Sequence, residues 1–187
     1  KKQDLDKIER AIERFHAHHI KIHGMFVIGS DEDDLETLDA TAAFAKSRQL
    51  ESVQFMILTP CPGSPDWDHQ YAKGNKDILT TDWSLYDGHH VVHQPRKLSP
   101  YELQMGATRA MKRFYSWGTI MRSLVVRRDI YTVGIQLYGK RLIREWAKAN
   151  QGYVATLRQN LYGEVERARA AGLVKPWKRV AVPDVFL

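Results

Sequence analysis

The sequence predicts an α/β unit followed by a mainly helical half, and three observations carry that expectation. Gly24 to Pro65 reads GMFVIGSDEDDLETLDATAAFA and then, past a short polar stretch, LESVQFMILTPCPGSP. Two apolar runs flank an amphipathic segment, which is the strand, loop, helix, strand, loop order of a parallel βαβ unit. After Ser99 apolar residues recur every three and four positions, the period of helices packed on one face. The charge changes at the same place: residues 1–98 carry 12 Lys and Arg against 16 Asp and Glu, a net of −4, whereas residues 99–187 carry 16 against 6, a net of +10.

Taken in order, Leu5, Ile8, Ile12 and Phe15 form one apolar stripe of a first helix, ended by His16, His18 and His19, whose rings can meet the last carbonyls. A left-handed cap at His19 would cost about 1 kcal/mol relative to glycine. Ile20 to Ile28 read as a buried strand and Asp33 to Arg48 as a helix with Leu35, Leu38, Ala42 and Ala45 inward. Asp31 to Glu36 crowd that helix's first turn, where the dipole favours negative charge. Val53 to Leu58 form the second strand, stopped by the prolines of TPCPGSP. Two parallel strands joined by a helix of this length make a right-handed crossover, but two such strands alone do not make a stable sheet. Residues 66–98 read as a long loop wrapping the first unit, with Trp83, Tyr86 and Val91 packed against it. SPYE at Ser99 is a capping box with proline at the first helical position. Leu103, Ala107, Ala110, Met111 and Phe114 stripe the helix it starts. Further helices are expected over Thr119 to Arg127, Tyr131 to Ala149 and Tyr153 to Ala171, before an extended tail from Val174.

At 187 residues and 43% hydrophobic content, one core with an appendage is expected. The apolar runs fall far short of the roughly 18 residues of a membrane span, and the charged N-terminus is unlike a signal peptide, so a cytoplasmic location is expected. The single cysteine, Cys61, cannot form an internal disulfide or by itself hold an iron–sulfur cluster. Nothing near it lowers its pKa, so it is a poor nucleophile. GxGxxG, Walker, HExxH, GxSxG and CxxC motifs are absent. His89, His90 and His93 are the best local metal candidates, but no acidic ligand pattern accompanies them; no metal ligand and no catalytic residue is assigned.

The strand and loop pair is where the sequence resembles a known family. GMFVIGSDEDDLET followed by QFMILTPCPGSP resembles the fifth and sixth strands of the radical S-adenosylmethionine (SAM) barrel. It is most similar to the cobalamin-binding subgroup, with its GmF-x-x-G strand, acidic loop ending in E-T, and LTPlPGTp turn. The segment DWSLYDGHHVVHQPRKLSPYELQ resembles the stretch just C-terminal to the barrel in that subgroup, and the resemblance covers roughly residues 1–118. It implies an α/β fold in which residues 1–65 are the last βαβ units of a partial TIM-like barrel, 66–98 a wrapping loop, and 99–187 a helical extension. It also implies SAM and a four-iron four-sulfur cluster in the intact protein, with cobalamin as a candidate further cofactor. The matching positions, Gly24, Phe26, Val27, Ile28 and Gly29, flank the adenine in that family, and Asp33 stands where glutamate is frequent. Ser64 replaces the threonine of PGT, and Cys61 an apolar residue; the turn is expected to survive both.

The cluster motif CxxxCxxC of that family is absent from these residues. The expectation is therefore a C-terminal fragment of a radical SAM enzyme, performing radical or methyl-transfer chemistry only when joined to its N-terminal half and inactive alone. A small-molecule or lipid substrate would suit such an enzyme. A methylthiotransferase-like radical SAM fragment is the alternative within that class. A basic helical module binding nucleic acid or an acidic protein is the alternative outside it, and its affinity would fall steeply with salt. The basic charges lie at helical spacing instead of in a block, which favours a solvated face over a nucleic-acid site.

Overall fold

The computed structural model describes residues 4–68, 78–80 and 82–159. Helix α1 (Leu5–Ala17) is capped by Asp4, whose carboxylate accepts from the Lys7 N–H. Only Ile12 of its stripe is fully buried, while Leu5 and Phe15 are exposed. The chain leaves it through His19 at φ +57°, the left-handed exit anticipated there.

Strand β1 (His23–Ile28) follows, then α2 (Leu35–Ser47), capped by Asp34, and β2 (Ser52–Ile57). The strands are parallel, with Phe26 opposite Phe55 and Ile28 opposite Ile57. Ser52 and Leu58 donate to Ile22 and Ile28, so the even-numbered residues of β2 turn their peptide groups to β1 and the odd-numbered ones turn theirs to the outer edge. Side chains alternate too: Val53, Phe55 and Ile57 are buried on the face where Phe26 stacks on Phe55, centroids 5.4 Å apart.

That face is covered by α2 and by α4 (Pro100–Phe114), which starts with the capping box at Ser99. Leu38, Ala42, Leu103, Ala110 and Phe114 are almost wholly excluded from solvent between them. A single turn, α3 (Pro65–Trp67), lies after β2. Residues 82–98 then cross the outer edge, where Gly88 accepts from the Ile57 N–H at 2.7 Å, and bury Val91 and Val92. Of the aromatic residues expected to anchor this loop, Tyr86 is half-buried, and Trp83 stays exposed against Trp67 and Tyr86. Helices α5 (Trp117–Val125) and α6 (Ile130–Ala149) pack on each other, α6 also reaching β2, and a last helical stretch covers 151–159. The remainder of the helix expected to Ala171, and the tail from Val174, lie outside the described residues.

The partial TIM-like barrel is not what forms. Among the described residues the sheet has two strands, and its second face carries His23, Met25 and Val27 out to solvent. A barrel needs enough tilted strands to bring its first edge round to its last, and two cannot do so. What stabilises this pair is helix packing on one face, with α4 supplying the cover that a larger sheet would otherwise provide. No described helix is long and apolar enough to cross a membrane.

Candidate functional site at the strand ends

The loops after β1 and β2 emerge side by side, tied where the Leu58 N–H donates to the Ile28 carbonyl at 2.8 Å. The first loop is closed by Asp33. Its carboxylate accepts from the N–H groups of Gly29 at 2.8 Å and Ser30 at 3.0 Å, and its own N–H donates to the Ser30 carbonyl. Asp34 caps α2, Asp31 pairs with Arg96, and Glu32 with Lys97. The Lys97 ammonium holds the Glu32 carboxyl below its ordinary range. Asp31 to Asp34 are thus occupied by one loop closure, one cap and two surface pairs.

The second loop builds its own turn. The Ser64 hydroxyl donates to the Cys61 carbonyl at 2.7 Å and accepts from the Trp67 N–H, doing what the more usual threonine would do. Cys61 is exposed beside it. The turn thus forms with Ser64 and Cys61 in place.

The six positions expected to meet a cofactor divide sharply. Val27 faces solvent on the open side of β1, with Met25 beside it. Phe26 and Ile28 face the core. A Cβ at Gly24 would stand 2.6 Å from the Leu50 side chain, and one at Gly29 would stand 2.7 Å from Leu103. Gly29 is also left-handed, at φ +93°. Its lack of a side chain therefore has a packing reason, in α4 behind it. Asp33 is engaged by its own loop.

The three loop histidines go to three places. His89 Nε2 lies 3.2 Å from Gln54 Nε2. His90 sits between Asp87 and the Asn150 amide oxygen, at 3.0 and 2.8 Å, against the rings of Trp146 and Tyr153. His93 is buried, its Nε2 at 3.2 Å from the Gly29 carbonyl, the arrangement of an N–H donor. Burial, and after it the Asp87 carboxylate, push the Tyr153 hydroxyl up to about 12, and that hydroxyl donates to the Val91 carbonyl. Among the described residues no three His, Cys, Asp or Glu side chains gather to hold a metal ion. A four-iron four-sulfur cluster does not fit the donors present, because it requires several thiolates and Cys61 is the single cysteine.

Three polar residues that the sequence left unremarked do much of the positioning. Gln104, fully buried on α4, accepts from the Val91 N–H and donates to the His89 carbonyl, pinning the loop. The Tyr115 hydroxyl accepts from the Val53 N–H at 3.0 Å and donates to its carbonyl at 2.9 Å, closing the β2 edge as a strand would. Glu51, immediately before β2, accepts from the Ile22 N–H and pairs with Arg127. Burial opposes its ionisation, but those two donors outweigh burial and hold the carboxyl below its ordinary range. A polar residue interrupting an apolar stripe, as Gln104 interrupts Leu103 to Ala107, is the signal that could have drawn attention to it.

The known proteins most informative about this arrangement are methyltransferases. The chain is 31% identical over 121 residues to bacteriochlorophyllide d C-12(1)-methyltransferase of Chlorobaculum tepidum, a match covering 64% of this chain and 25% of that one. It is 30% identical over 129 residues to an uncharacterized methyltransferase of Pyrococcus horikoshii, covering 69% and 26%. Bacteriochlorophyllide d C-8(2)-methyltransferase of Chlorobaculum tepidum is 25% identical over 145 residues, covering 77% and 32%. The chain thus spans about a quarter to a third of the length of these relatives. No protein-family model matches it. No solved structure matches it either.

Proposed function

We propose that these residues serve as one segment of a SAM-dependent methyltransferase of the radical SAM type, one that transfers a methyl group to an organic acceptor. The observation that carries the reading is the match of 64 to 77% of the chain to three methyltransferases. The acceptor named for two of them, a bacteriochlorophyllide, is a large ring system, and a ring-bearing acceptor is the class we assign here. The motif resemblance supplies the finer part: SAM, an iron–sulfur cluster and cobalamin. With one cysteine in the chain, the reading assigns the cluster to residues beyond these 187, and no step is derived through it.

In this reading β1 contributes on its open side. The register leaves the peptide groups of Met25 and Val27 at the free edge, next to the exposed Val27 side chain, where a flat purine can meet both an apolar surface and backbone hydrogen-bonding groups. Gly24, Phe26, Ile28 and Gly29 hold that edge in place from behind, and Asp33 fixes the loop beyond it.

The test uses the protein translated from the longest reading frame containing these codons. Labelled methyl is expected to pass from SAM to an acceptor, and Val27→Arg is expected to weaken SAM binding at least tenfold, read by calorimetry, with the unfolding midpoint kept. Undiminished SAM affinity in that variant would remove β1 from the site, and absence of methyl transfer would remove the reading.

A further inference from the structure

Helix α5 inverts the order of an ordinary surface helix, which turns its apolar stripe to the core and its polar side to water. The residues it buries are Thr119, Ile120 and Ser123, two of them carrying hydroxyls. Trp117, Met121, Leu124 and Val125 follow one another at the four- and three-residue steps of a single helical stripe. That stripe faces out, each side chain between 42 and 61% exposed. The apolar surface continues through the turn into α6, where Val126 and Ile130 are 71 and 77% exposed and Tyr131 is exposed as well. Exposed apolar residues scattered singly are ordinary, but seven large ones between positions 117 and 131 mark a surface that meets something apolar.

The turn holds its shape through its own backbone, with the Arg127 N–H donating to the Arg122 carbonyl at 3.1 Å and the Asp129 N–H to the Ser123 carbonyl at 3.0 Å. Its unpaired charges have one sign. Arg127 is taken by Glu51, and Lys21 takes Asp129, the one acidic residue from 117 to 131. Arg122 and Arg128 are exposed and have no acidic partner among the described residues. An ammonium lies over the aromatic ring at either end of the surface, Lys140 at 5.2 Å from the Trp117 centroid and Lys21 at 5.3 Å from that of Tyr131. Trp and Tyr so placed suit a boundary that is apolar on one side and wet and charged on the other.

We propose that α5 and the turn after it rest in the headgroup layer of an anionic bilayer, with Met121, Leu124, Val125 and Val126 against the acyl chains and Arg122 and Arg128 on lipid phosphates. A helix of nine residues is too short to span a membrane, so it lies in the plane of the interface. Unpaired cations beside the apolar stripe favour this occupant over a second copy of the chain, whose two-fold contact would bring like patches, and so the same arginines, together. The inference goes beyond the methyltransferase reading and does not depend on it.

The test is cosedimentation of the 187-residue chain with vesicles of phosphatidylcholine alone or of an equal mixture with phosphatidylglycerol. Binding to the mixture is expected, about tenfold tighter than to phosphatidylcholine and weakened by salt. Met121→Asp combined with Val125→Asp is expected to abolish binding at an unchanged unfolding midpoint, since both side chains stand in solvent. Arg122→Gln combined with Arg128→Gln leaves the apolar stripe intact and is expected to cut the preference for the anionic vesicles about tenfold. Brominated acyl chains are expected to quench the part of the fluorescence that Trp117→Phe removes. Failure to bind the mixed vesicles, or equal binding by both double variants and the unaltered chain, overturns the proposal. So does a dimer in solution that Val125→Asp splits, which assigns the surface to a second copy. A longer protein from the same reading frame that ignores the vesicles overturns it too, by showing the surface covered from within.

Discussion

On one side of the β1–β2 pair, Phe26, Ile28, Val53, Phe55 and Ile57 lie against α2 and α4; on the other, Met25 and Val27 of the same strand stand more than 60% exposed. Both sides are apolar in β1, which is how strands read when both faces are destined for cover. Here one covered face suffices to hold the pair. The second face of this six-residue strand is therefore available for contact at little cost to the fold.

The most direct way to break this contrast is to truncate both faces. Phe55→Ala removes a buried ring and is expected to cost about 4 kcal/mol of unfolding free energy, measured by urea denaturation. Similar losses at Phe55 and at exposed Val27 would dissolve the contrast. Glu51→Ala leaves Arg127 without its partner at the covered end of β2 and is expected to cost about 3 kcal/mol. The same residue gives a pH signature. Its folded pKa lies below its ordinary value of 4.5, so its contribution is complete above that value and drains away as pH falls below it. Wild-type stability should steepen its decline there in acid titration, and Glu51→Gln should remove that component. Tyr115→Phe withdraws one hydroxyl from two backbone groups of buried Val53 and is expected to cost about 2 kcal/mol. Smallest of all, Val27→Ala should change stability by less than about 0.5 kcal/mol.

Much of this scaffold could be read from residue patterns. The capping box at Ser99, the acidic start of α2 and the proline stop after β2 each announce a boundary through chemistry within four residues of it, and all three boundaries fall within two residues of expectation. What was not legible depends on partners far along the chain. Nothing near Tyr115 indicates that its hydroxyl caps Val53, 62 residues away, or near Glu51 that it meets Arg127, 76 residues away. The same distance hides the reason for Gly29, which lies in Leu103. The partial barrel was inferred from motif resemblance, and a motif of two strands and two loops carries no information on how many strands surround it. Of the positions expected to meet a cofactor, alternation along β1 marks which residues share a face, but only the packing of α2 and α4 decides that Val27 is on the open one.

The hydroxyl of Tyr115 has one more consequence, for association between chains. An exposed strand edge is a template on which a second chain can lay down hydrogen bonds, and repeated addition of that kind ends in aggregates. On the outer side of β2 a newcomer finds the rung at Val53 already taken by a side chain and the N–H at Ile57 taken by Gly88. The gap at Phe55 is one residue wide, too short to seed a ladder. A tyrosine in the turn after α4 thus guards that edge against the addition of another strand.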